Sequence, residues 1–157
     1  MNSPDPGSSG KSPAADFPLS GVGFPPAPAG ADPSLEAAAL LPLVDAAVLA
    51  ELEDELAGSG LAQRFARDYA AMWDVRLARL GTAVQSRDGD SALDAVISLK
   101  ISSAMVGGVR LAKLAELLEG LIRRGDFVQG QAMMAGVAQD GARTVSELQS
   151  TYIMENG

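Results

Sequence analysis

The sequence predicts an all-α protein: an up-and-down antiparallel four-helix bundle with a short extra N-terminal helix. Three observations lead there. All nine prolines fall within the first 42 residues, which leaves the rest of the 157-residue chain free of the strongest helix breaker. Beyond that point apolar residues recur at spacings of three and four, the period of one helix face. Glycine- and aspartate-containing breaks then cut this stretch into segments joined by short links, and short links make neighbouring helices antiparallel.

The elements follow in order. Residues 1–40 read as a disordered tail, because their Pro, Gly, Ser and Ala composition offers too little apolar surface to offset ordering entropy. Phe17 and Phe24 are its isolated apolar positions and form a candidate linear motif. The bundle domain occupies 41–157. A short helix is predicted over 44–56 with Asp45 as its N-cap, ending at Gly58-Ser59-Gly60. A long helix over 61–87 places Leu61, Phe65, Tyr69, Met72, Trp73, Leu77, Leu80 and Val84 on one face. Gly81 within it implies a close contact, since glycine there costs about 1 kcal/mol relative to alanine. A third helix, 91–105, is capped by Asp90 or Ser91. Gly107-Gly108 separates it from a fourth, 109–124, which turns Leu111, Leu114, Ala115, Leu118, Leu121 and Ile122 inward and ends at Gly125. A fifth, about 127–152, carries Phe127, Met134, Ala138, Gly141, Val145, Leu148 and Tyr152 inward.

Composition excludes several kinds of chemistry. The chain has no cysteine and no histidine, so it lacks a thiol nucleophile, a disulfide framework and the commonest metal ligand and general base. No cofactor and no metal site are expected. Glu51, Glu53, Asp54 and Glu55 read as a solvated helix face. The net charge of −8 argues against nucleic acid and against an anionic membrane surface as partners. No apolar run approaches the ~20 residues that span a bilayer, and the N-terminus has no secretory pattern. A cytoplasmic protein is therefore expected.

The most specific stretch is LDAVISLKISSAMVGGVRLAKLAELLE, residues 93–119. Ile97, Leu99-Lys100, the small pair Ser102-Ser103, Gly107-Gly108, and the run Leu111, Leu114, Leu118, Glu119 occupy the columns of a known motif. The stretch resembles the signature helix pair of the histidine phosphotransfer (HPt) family, which relays phosphoryl groups in two-component signalling. In that family the motif reads His-x-Leu-Lys-Gly. Here Ile97 stands at the phosphoacceptor position and Ile101 at that of the glycine that gives a partner clearance. The resemblance implies a four-helix bundle without phosphotransfer activity, a pseudo-HPt domain. The implied partners are the receiver domain of a response regulator or a histidine kinase.

Helical geometry assigns the faces. Successive residues turn by about 100°. Ala92, Ala95, Val96, Leu99, Ser103 and Val106 therefore share a core side, and Ile97 points away from Leu99 by about 200°. Ile97, Lys100, Ile101 and Ala104 are the candidate partner-binding residues, with Met105 extending the patch. Arg76, Arg79, Arg110 and Lys113 are expected to frame it with positive charge. The same two isoleucines would also suit a homodimer seam. The remaining readings are a cover folded over them from the short first helix or the tail, and ordinary scattered surface apolar residues.

Overall fold

The structure, a computed structural model, describes residues 33–153. They form six α-helices: α1 (Pro33–Ala39), α2 (Ala46–Glu55), α3 (Ser59–Gln85), α4 (Gly89–Met105), α5 (Val109–Arg123) and α6 (Phe127–Leu148), followed by a π-helical turn, Gln149–Ile153. Helices α3 to α6 make the bundle: α3 packs on α4, α4 on α5, α5 on α6, and α6 closes back on α3. Short α2 lies across one end against α3 and α4.

Every link in the bundle uses the same local device. After α4, the Gly107 N–H bonds the Ala104 carbonyl at 3.1 Å and the Gly108 N–H bonds the Ser103 carbonyl at 2.8 Å. This pair of bonds satisfies helix-end carbonyls and reverses the chain through one left-handed residue. The same pattern follows α2, α3 and α5, with Ala57, Arg87 and Gly125 in the left-handed position at φ 60°, 56° and 74°. Gly107, at φ 80°, has a second reason to be glycine. A Cβ there would lie 2.6 Å from the Asp45 carbonyl oxygen, and the Asp45 N–H donates to the Gly107 carbonyl at 2.7 Å. The α4–α5 turn is thus pinned to the start of α2, where Asp45 also caps the helix through the Ala47 N–H.

The core has two parts. The larger includes Trp73, Leu80, Val84, Val96, Leu99, Leu111, Leu118, Ile122 and Val137. The smaller joins Leu49 of α2 to Ala66, Tyr69, Val106, Leu148 and Tyr152 at the far end. Trp73 is seated on Gly141, where a Cβ would fall 1.9 Å from the indole.

Several expectations need correction. The tail boundary at 40 moves: residues 33–39 form α1, which packs on α5 and buries Ala38 in the main core. Pro33 suits the first turn of that helix, where its missing N–H costs nothing. The rest of the expected tail, Phe17 and Phe24 included, lies outside the described residues. The cap of α4 is Asp88, which accepts the Ser91 N–H, and not Asp90 or Ser91. Leu61 and Met72 face outward, 54% and 42% exposed. Leu61 lies in the first turn of its helix, and Met72 gives way to Trp73, which takes the interior. Gly81 meets only the Met134 methyl at an ordinary 3.7 Å, so the tight glycine contact belongs to Gly141 instead.

Candidate functional site

Helix α4 presents two different sides. Ala92, Val96, Leu99, Ser103 and Val106 are buried, as the turn per residue requires. On the outward stripe Ile101 is 54% exposed and Met105 38%, and Ala104 is exposed beside them. Ile97 is only half-buried and packs on the edge of the main core, to which α1 contributes Ala38. The expected pair of free-standing isoleucines is thus one exposed side chain and one that is partly covered. Met72 and Val75 of α3, 42% and 49% exposed, add apolar surface to the neighbouring helix.

The expected frame of cations divides in two. Lys100 turns toward α5 and its Nζ lies 2.6 Å from Glu119 Oε1. The other oxygen of Glu119 takes Arg123 through Nη2 at 2.8 Å and Nε at 3.1 Å. Glu119 is nearly buried, and the hydrogen bonds from Lys100 and then Arg123 hold its carboxyl below the usual range. Arg110 is occupied elsewhere, donating from Nε to the Leu41 carbonyl at 2.7 Å, which ties the segment after α1 to α5. Lys113 pairs with Glu116 one turn along. Arg76 and Arg79 remain on the α3 side of α4, where Arg76 Nη1 donates to Ser98 Oγ at 3.1 Å and to Ser102 Oγ at 3.4 Å. Both arginines line a cavity of about 130 Å³ with Met72, Asp94, Ala95 and Ser98.

Two polar anchors behind this face were not foreseen. The Tyr69 hydroxyl and Ser103 Oγ lie 2.6 Å apart inside the bundle, and burial pushes the Tyr69 phenol up to about 12. Tyr152 donates to Glu53 Oε2 at 2.7 Å, so one member of the acidic cluster on α2 fastens the C-terminal turn. Each carried a sequence signal. Ser103 is a polar residue on an otherwise apolar stripe, and Tyr69 and Tyr152 each put a hydroxyl on the inward stripe of their helices. A polar group on a core face needs a partner.

With this geometry in place, the described helices have the fold of histidine-containing phosphotransfer proteins. One solved structure of that fold is histidine-containing phosphotransfer protein B (HptB) from Pseudomonas aeruginosa PAO1. It matches with a TM-score of 0.63 and 24% sequence identity, over 69% of this chain and 93% of that one. No family model and no curated protein matches the chain. Among the described residues no helix is long and apolar enough to cross a membrane.

Proposed function

We propose that the chain is a non-catalytic, HPt-like docking module of two-component phosphorelay signalling. It binds the receiver domain of a response regulator, or a histidine kinase, through the outward face of α4, and competes with an active relay protein or scaffolds one. The observation that carries this reading is the pairing of a phosphotransfer fold with exposed apolar Ile101 on that face, in a chain with no histidine. A phosphoramidate needs a nitrogen lone pair standing free of the bundle, and Ile97 has none. Ser98 does not replace it. Its hydroxyl accepts from Arg76, and none of its hydrogen bonds runs to a base. Burying the exposed part of Ile101 against a partner, with Met105 and Ala104 beside it, supplies an apolar anchor instead.

The experiment is a calorimetric titration of the protein against the receiver and kinase domains of the same cell. Saturable binding to a subset, displaced by an active phosphotransfer protein, is the expected result. Absence of binding to every domain overturns the proposal. A second reading, self-association through the same face, is favoured by the exposed Met72 and Val75 on neighbouring α3. Sedimentation separates the two, because a concentration-dependent dimer abolished by Ile101→Gly supports the seam and a strict monomer rejects it.

A further inference from the structure

We propose that the notch between α3 and α4 is an oxyanion site that takes the carboxylate of an acidic side chain on the docking partner. It rests on the docking reading of this face and names the chemistry that the partner must bring.

The notch is a cavity of about 130 Å³ lined by Met72, Arg76, Arg79, Asp94, Ala95 and Ser98. A volume of a few water molecules fits a carboxylate with some hydration and excludes a nucleotide. Arg76 is held in one orientation, because its Nη1 donates to both Ser98 Oγ and Ser102 Oγ. Ser102 is itself fixed, donating to the Ser98 carbonyl at 2.8 Å. Those bonds use the guanidinium edge remote from Nε–H. The opposite edge, Nε–H with Nη2, is the fork that matches two carboxylate oxygens. That edge is unused: among the described residues Arg76 Nε is buried with no acceptor. A buried donor left without a partner is unfavourable, and Arg76 Nε is closed to solvent as the helices stand, so an oxygen that reaches it by a small movement of the Arg76 side chain removes a defect as well as adding a bond.

Charge points the same way. Among the described residues Lys100, Lys113, Arg123 and Arg143 have carboxylate partners and seven arginines have none; Arg76 and Arg79 belong to the seven, and what sets them apart is that both line this one cavity. Arg79 lies three residues after Arg76, hence on the same side of α3. Asp94 opposes them. It is exposed, lines the same cavity and pairs with neither arginine. It leaves the notch with an excess of one positive charge, enough to favour a single carboxylate and to penalise a second.

The test uses the ¹⁵N-labelled full chain and follows the Nε–Hε signals of its arginines by NMR. At constant ionic strength it is titrated with sodium acetate, standing for a side-chain carboxylate, and separately with inorganic phosphate. Acetate is expected to move the Arg76 signal along a saturating curve. Arg79→Gln is expected to weaken that curve about three-fold and Asp94→Asn to tighten it by about as much, the size of a partly exposed ion pair. A linear Arg76 shift, or the same shift at Arg64 and Arg67, overturns the site. Saturation by phosphate without saturation by acetate overturns the carboxylate assignment. The primary readout is on the unsubstituted protein, so the outcome does not depend on a variant folding. No receiver or kinase is present, so failure here is distinct from failure of the docking titration.

Discussion

Ile101 offers the sharpest separation of docking from folding. It is 54% exposed, so about half of its side chain is still available for burial by a partner. Full burial of a side chain this size is worth about 1.5–3 kcal/mol, so the available half is worth roughly 1 kcal/mol. Ile101→Ala should therefore raise the Kd for a bound receiver or kinase domain about five-fold. Ile101→Asp adds the desolvation of a carboxylate and should raise it by ~30-fold or more. Neither change touches the core, so folding stability should move by no more than about 0.5 kcal/mol. Ile97→Ala is the contrast: its half-buried side chain packs on the main core, and its loss should lower stability by about 1–2 kcal/mol. Calorimetric titration reads the first pair and thermal melting the second. The reasoning is refuted if Ile101→Asp leaves the affinity unchanged, or if Ile101→Ala melts the bundle as strongly as Ile97→Ala.

Three further outcomes concern the frame that holds this face. Gly141→Ala puts a Cβ 1.9 Å from the Trp73 ring, so the indole must leave its seat; a red-shifted tryptophan emission and a destabilisation of about 3 kcal/mol or more should accompany it. Ala57→Gly relieves a left-handed alanine, at φ 60°, and should stabilise by about 0.5–1 kcal/mol in chemical denaturation, after the entropy lost to glycine. Glu119 has a folded pKa held below its ordinary 4.5, so its ion pairs contribute stability above that pH and lose it as pH falls through the lowered value. Glu119→Gln should accordingly flatten the acid limb of the stability profile, and an unchanged slope below pH 4.5 would exclude that linkage.

How much of this was legible in the sequence depends on whether a feature is local. The breaks at Gly58, Gly107 and Gly125 and the spacing of Leu111, Leu114 and Leu118 locate α2 to α5 and the start of α6 to within about two residues, because glycine and helical period act over one turn; the α-helical part of the last element ends at Leu148, short of the expected 152, where it passes into the π-helical turn. The inward side of α4 follows equally well from the 100° step. The rest depends on what lies across the bundle. The α1 helix is seven residues long and is fixed by packing on α5, so composition alone assigns it to the tail. Asp88 caps α4 because Arg87 accepts a left-handed turn one residue before the obvious Asp-Gly-Asp signal. Lys100 looked free along its own helix, and only the placement of Glu119 on α5 reveals its partner.

That partner bears on what the face is for. Phosphoryl capture on a helix surface asks for a nucleophilic nitrogen, clearance for the approaching domain and a cation free to balance charge. On the proposed reading, position 97 holds isoleucine, which has no such nitrogen, and Ile101 stands where the clearance would lie. The third is present as Lys100, but its ammonium is engaged by Glu119, which also takes Arg123, so it is held within the fold even though the trio keeps an excess positive charge. Arg76 and Arg79, two of the described arginines that make no ion pair, stand one helix away, grouped with exposed Met72 and Val75. An apolar centre with unpaired charge at its edge has the composition of a protein-binding surface. On the proposed reading, Ile97→His supplies a nucleophile at that position without the clearance or an unengaged cation, and docking does not depend on phosphoryl transfer.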